Sequence, residues 1–450
     1  MKAGDELILL NGGYSEAAGT GYISYLGTNS AQPPSGTSAA WTYVHAQNPG
    51  KVKITGGLWL GRSTRKDSYI KLEGLTFEGA SLLYNTSYIV IKACGFHDVS
   101  MYPGMVFGMG TNDGTWGNTN NLVEDVWIWG SDRLIASNYR SDNNVWRRVV
   151  VRGDGCNTAA CTGSGNPNVG ITVYDSANVS LQNVMVVDRI LGGGWNYGDF
   201  ATAQHTPGRA FGNNEWLGTI SLASEDNCYL FEADESSLNA PTWNLENVVG
   251  WGCVNTGLNA SGPPNARADL TNATFMIKSG VGVGVRIPPG QTAGTVKRVI
   301  VTGSNGMATN IGGSFTHFNE HGTWARAVDQ GARCSAGCKT SNPLADGSRA
   351  SLKYIARIEP GSLLKGAADG GADIGANVVY RYGTDGTFYG DAGFNTLTTT
   401  PLWPWPNEAR IKKEMCSDTS VTRGFCGKAS LTEYIWTYLG NPVPPEIAAP

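Results

Sequence analysis

The chain has 450 residues, more than one globular core usually sustains, with 61 glycines and only 16% charged residues. Its formal net charge of -4 gives no electrostatic reason to expect a nucleic-acid partner, and no apolar run approaches the length of a membrane span. Low charge with abundant glycine suits a fold of many short strands joined by tight bends.

The chain enters a strand almost at once, over residues 7–10, and turns at Asn11-Gly12-Gly13. It then crosses a loop rich in Ser, Gly and Pro and returns to strand-forming sequence over 51–60. From there one phrase recurs: an apolar residue, two mostly polar residues, an aliphatic, a variable residue and a final apolar one. Clear copies stand at 72–77, 123–128, 146–151, 181–186, 270–275 and 296–301, with looser ones at 91–96 and 245–250. Most neighbours lie roughly 19 to 35 residues apart, the period of a solenoid whose coils cover one another's apolar faces. The first and last apolar positions of the phrase point inward, and the polar pair turns the chain between two strands. Asn183, Asn247 and Asn272 share one turn position, where stacked amides are expected to hydrogen-bond along the solenoid. Insertions near 102–120, 153–168 and 192–216 interrupt the coils and are expected to wall a groove.

Past residue 310 the pattern loosens. An irregular stretch at 311–350 holds His317 and His321, and 352–358 reads as a late rung. The coil is therefore placed at 1–400, followed by a Pro/Trp-rich and helical cap or docking segment at 401–450. Within it, 407–415 predicts a short helix with Asn407 as N-cap, and 430–439 a second one ended by Gly440. Trp403, Trp405, Tyr434, Trp436 and Tyr438 are expected to cover the chain's own core.

Nine cysteines are present. Cys156 with Cys161, Cys334 with Cys338, and Cys416 with Cys426 form close pairs in loop-like sequence and predict small disulfides. Cys94, Cys228 and Cys253 remain, and Cys94 falls on an inward repeat position as a buried thiol. No leader is visible, yet disulfides call for an oxidising compartment. The expectation is an exported protein, extracellular or on the cell surface, whose leader is absent from this sequence.

Three features resemble the right-handed parallel β-helix proteins of the pectate-lyase-like superfamily. Ala3-Gly4-Asp5-Glu6-Leu7-Ile8-Leu9 is similar to their opening-rung phrase, and the repeats are similar to their coils. Gly371-Ala372-Asp373-Ile374-Gly375-Ala376 resembles the closing phrase of many bacterial members, so the likeness spans about the first 380 residues. It implies an all-β, right-handed parallel β-helix with a short, partly helical C-terminal extension. It implies less about activity, because the superfamily holds lyases, hydrolases, phage tailspikes and adhesins. Its members usually carry a capping segment before the opening rung. Here almost nothing precedes Lys2, so an uncovered first rung is expected to invite a partner or a second copy.

Of the elements typical of polygalacturonases, only Arg410-Ile411-Lys412 occurs, in the predicted tail helix, and it reads as coincidence. Lyase chemistry abstracts the proton next to a uronate carboxylate, using a base, with cations or Ca²⁺ holding the developing charge. Outward positions of neighbouring copies supply candidates: Arg148, Arg152, His97, Asp154 and Asp188 for catalysis. Trp127 and Trp129 would offer flat faces to sugar rings, while Arg147, Lys92 and Arg189 would hold carboxylates. With rungs about 4.8 Å apart, these groups share one face. The competing account of that face is a solvated, mutually paired surface. His205 sits in an insertion and is a further candidate. His317 and His321 flank Glu320 without the helix a metal pair needs, and Asn112-Asp113-Gly114 reads as a turn before a Ca²⁺ loop. No metal ligand is assigned, and Ca²⁺ enters only as a cofactor of the lyase reading.

Two functions follow. The first is an extracellular protein that binds acidic polysaccharide or a cell-surface glycan and cleaves it by β-elimination. The second is a structural surface protein or filament subunit, self-associating through the uncapped N-terminal rung or the C-terminal tail.

Overall fold

The computed structural model describes residues 1–15, 33–61, 65–98, 105–110, 117–130, 133–154, 168–190, 197–204, 206, 209, 211–233, 241–278, 282–287, 292–304, 307–311, 314–323, 334–340, 352–417 and 422–448. Cys156, Cys161, His205 and Asn112-Asp113-Gly114 lie outside these residues.

Among the described residues the coils wind through as many as three short strands each, and equivalent strands of successive coils pair in parallel, forming a right-handed parallel β-helix. Alternation decides which side chains go inside. The first apolar position of the phrase makes one continuous column: Leu72, Ile91, Val123, Trp146, Leu181, Trp216, Leu245, Leu270 and Val296 stand in register, each paired with the next. All are buried. Each large side chain removed from water there contributes about 1.5–3 kcal/mol. Ring stacks run along the same interior, with Phe77 on Phe96 at 5.0 Å and Phe96 on Phe107 at 4.2 Å. The third strands form a separate ten-stranded sheet, from Trp59–Leu60 to Met307–Ile311.

Between the first and second strands one residue per coil takes a left-handed conformation. The corner reads Gly74, Ala93, Asp125, Arg148, Asn183, Gly218, Asn247, Asn272, Arg298 and His317. A single left-handed residue bends a strand without breaking its pairing, and Gly or Asn does this at least cost. The expected amide ladder at Asn183, Asn247 and Asn272 does not form, because Gly218 interrupts it and the amides face other partners. Asn183 Oδ1 accepts from the Tyr382 amide at 2.7 Å, and Asn247 Nδ2 donates to the Tyr382 hydroxyl at 2.8 Å. An amide ladder stands instead at the opposite turn: Asn178 Nδ2 donates to Asn143 Oδ1 at 2.9 Å and Asn213 Nδ2 to Asn178 Oδ1 at 3.4 Å.

The last described coil strand is Cys334–Ala336. Residues 352–358, expected as a rung, carry only an isolated antiparallel bridge between Tyr354 and Arg357. They begin a tail that runs back over the coils, where Arg298 meets Asp369, Arg148 meets Asp385, and Phe388 stacks on Trp41 at 5.9 Å. The tail then forms helix α1 (Glu408–Met415) and helix α2 (Leu431–Trp436). Ser430 caps α2 through its side chain. Asn407 precedes α1 in a left-handed conformation, and its side chain makes no cap bond, so its role is the backbone turn rather than capping.

A second apolar core lies between tail and coil. The variable position of the phrase points outward and is often apolar: Trp127, Val150, Met185, Val249 and Ile300. These side chains pack with Ile355, Leu402, Trp403, Trp405, Ile411, Phe425 and Trp436 of the tail. The tail aromatics do cover the chain's own core, as the sequence implied.

Disulfides join Cys334 to Cys338 and Cys416 to Cys426, as expected, and also Cys228 to Cys253. The last pair escaped sequence reading because its cysteines are distant in the chain. Their separation of 25 is about one coil, which brings them together. Cys94 is a buried free thiol.

Candidate functional site

The face expected to meet substrate is occupied by the tail. Trp127, fully buried, donates from Nε1 to Glu414 at 2.8 Å, and the Arg410 guanidinium lies 4.6 Å above its ring. Arg147 bridges Glu124 and Gln182 and donates to the Phe394 carbonyl at 3.0 Å. Arg148 forks onto Asp125, while its Nη1 stands 2.9 Å from Asp385 without the alignment of a hydrogen bond. Lys92 pairs with Glu124 at 2.8 Å, and the half-buried His97 stacks on Trp129 at 4.7 Å. Burial opposes ionisation of Glu124, but Arg148, Lys92 and the Gly386 amide outweigh it and hold the carboxyl down at about 2. The sequence correctly gathers these charges on one face. What it does not reveal is that Arg147, Arg148 and Trp127 dock the tail rather than face an open groove.

Arg152 is likewise buried, paired with Asp154 and donating to the Met415 carbonyl. Arg189 is buried against Asp199 at 2.6 Å, at the base of a coil turn. Asp188, one residue earlier, behaves differently. It follows strand Met185–Val187 in a left-handed conformation, aligned with Gly153 and Ala223 of the adjacent coils. Its carboxylate accepts from the Phe425 amide at 2.7 Å and the Tyr434 hydroxyl at 2.5 Å. Burial pushes its pKa up to about 6, with Asp154 adding repulsion. Gly424 sits against it with φ of +55°, and a β-carbon there would fall 2.3 Å from the carboxylate.

Asp188 lines a cleft of ≈ 440 Å³ between coil and tail. The coil wall adds Glu225 and Lys278, and the tail wall adds Arg423, Lys428, Thr437 and Tyr438. Arg423 is half exposed and anchored on buried Asp154 at 3.0 Å. The Cys416–Cys426 disulfide closes the loop that carries it. Lys278 and Lys428 form no ion pair among the described residues. Tyr434 and Tyr438 stand one helical turn apart, rings 5.8 Å from each other. The cleft thus unites sequence candidates Asp188 and Arg189 with Lys278, Arg423 and Lys428, which sequence reasoning passed over, and with Tyr434 and Tyr438, which it assigned to covering the chain's own core. Their one signal was the four-residue spacing of the two tyrosines, since nothing in the sequence says which turn the tail meets.

No cluster of three or more His, Cys, Asp or Glu side chains arranged to hold a metal occurs among the described residues. The described helices include none long and apolar enough to cross a membrane.

No family model and no curated protein sequence matches the chain. Solved structures do resemble it. The pectate lyase Pel9A is 14% identical over 83% of this chain and 88% of its own, with a TM-score of 0.45. The PL6-family polysaccharide lyase Pedsa3628 of Pseudopedobacter saltans is 13% identical over 83% and 95%, with a TM-score of 0.39. A mannuronic-acid-specific family 6 lyase from human gut microbiota is 13% identical over 74% and 83%, with a TM-score of 0.33. All three are below a quarter in identity, and no residue role is taken from them.

Proposed function

We propose that this protein is an extracellular β-helix that binds acidic polysaccharide in the Asp188 cleft and cleaves it by β-elimination. The observation that carries the reading is the composition of that cleft. Lys278, Arg423 and Lys428 line it together with a carboxyl whose pKa stands at about 6. A uronate needs cations for its carboxylate and a base of near-neutral pKa for the adjacent proton, and both are supplied here.

In this reading Asp188 takes the proton from the carbon next to the sugar carboxylate. The electron pair left behind forms a C=C bond, and the glycosidic oxygen departs, taking a proton from water. Arg423 and the two lysines hold the negative charge that gathers on the carboxylate meanwhile. Because the described residues offer no carboxylate cluster for Ca²⁺, no step is assigned to that ion. Three disulfides among the described residues support the extracellular placement.

Equilibrium binding to pectate, alginate and hyaluronate, with neutral dextran as control, tests the reading. Saturable binding to at least one acidic polymer, weakening with salt, is the expected result. Equal affinity for dextran, or no affinity for any acidic polymer, overturns it.

A further inference from the structure

We infer that the Asp188 cleft receives the charged terminal sugar of a chain rather than an internal stretch of it. The inference rests on the acidic-saccharide reading and narrows its substrate to chain ends.

Three observations support it. The cleft is walled on both sides, by coil turns at Asp188 and Lys278 and by the tail at Arg423 and Tyr438. At ≈ 440 Å³ it is the size of a small-molecule pocket. Among the described residues it also has no continuation over the adjoining sheet. On one side Arg152 and Trp129 lie buried under the tail, with Arg152 donating to the Met415 carbonyl. On the other, Trp251 is buried beneath the same apolar layer, which Tyr438 joins. A polysaccharide crossing this sheet would have to displace the second core.

The chemistry inside suits one charged sugar. Lys278 and Lys428 bring ammonium groups with no ion-pair partner among the described residues, and Arg423 brings a guanidinium fork for a carboxylate. The half-buried Tyr438 ring offers an apolar surface to the sugar face.

The test is calorimetric titration of the full-length protein with galacturonate, mannuronate and guluronate mono- and disaccharides. Pectate and alginate follow, each at two chain lengths and equal mass. Short uronates should bind saturably, and polymer binding should scale with the number of chain ends. A Lys278→Ala/Lys428→Ala double variant, altering only solvated groups, should weaken short-uronate binding on the order of tenfold. Capacity that follows polymer mass rather than end number, or binding of polymers without short uronates, overturns the chain-end inference while leaving the acidic-saccharide reading intact. Absence of binding to every acidic saccharide, short or long, overturns both.

Discussion

The Tyr434 hydroxyl donates a 2.5 Å hydrogen bond to the Asp188 carboxylate, tying α2 of the tail to a coil turn 246 residues earlier. The bond matters because the carboxylate is desolvated. Its ordinary pKa of 3.8 is raised to about 6, so folding favours the protonated form. The resulting burden on stability is absent below about pH 4, grows as pH rises towards 6 and is constant above. It amounts to at most about 3 kcal/mol. Tyr434→Phe removes a donor to the charged form, so it should raise the Asp188 pKa further and lower stability at pH 8 by about 1–3 kcal/mol. Urea unfolding of both proteins at pH 4 and pH 8 checks this; an equal loss at both pH values would contradict it.

Glu124 works in the opposite direction. Its pKa falls from 4.5 to about 2 on folding, against burial, because Arg148, Lys92 and the Gly386 amide favour the charged form. The stabilisation is fully present above about pH 4.5 and is lost as pH falls towards 2, by up to about 3 kcal/mol. Glu124→Gln should therefore be less stable at neutral pH and lose less on acidification. Circular dichroism melts from pH 7 to pH 2.5 measure both slopes.

Trp127 belongs to the coil half of the second core and ties it to α1 through Glu414. Trp127→Ala should lower stability by about 3–5 kcal/mol, combining cavity formation with loss of the Nε1 hydrogen bond to Glu414. Because the tail covers that face, limited proteolysis should then cut first within residues 352–448. First cuts among the coil strands would contradict the docking role.

Arg148→Ala takes the guanidinium fork from half-buried Asp125 and one cation from buried Glu124, a change worth about 3–5 kcal/mol. Arg148 holds the tail and lies outside the cleft. Uronate affinity of the folded variant should match wild type, whereas Arg423→Ala should weaken it.

Alkylation of the native protein should leave Cys94 unmodified, since burial pushes its thiol pKa up to about 12. Peptide mapping without reduction should return Cys228–Cys253, Cys334–Cys338 and Cys416–Cys426. Rapid native labelling at Cys94 would show that its coil opens.

The coil was legible in the sequence because its core is one-dimensional. Leu72, Val123 and Leu181 repeat in a single chemical phrase, and register follows from the period. The second core was less visible. Its coil half was written in the variable position, at Trp127, Val150, Met185 and Ile300, whose apolar character signals an outward face that something covers. The sequence named the covering residues, such as Trp403 and Trp436, but not where they land. Charges misled for the same reason: Arg147 and Arg148 have the composition of a binding face and the burial of a docking one. Lys278 and Lys428 gave no local sign, since their meeting depends on how a tail of some hundred residues folds back over the coil.

In the proposed reaction Asp188 acts as base towards a uronate. Ultraviolet absorbance of unsaturated sugar ends, followed over time with pectate, alginate and glycosaminoglycans, tests it most directly. Wild type should produce these ends from at least one substrate, with a rate that rises as pH passes through about 6. Asp188→Asn, folded by circular dichroism, should be slower by roughly 10²–10⁴-fold. An Asp188→Asn variant as fast as wild type, or no unsaturated ends from any acidic polysaccharide, would contradict that role.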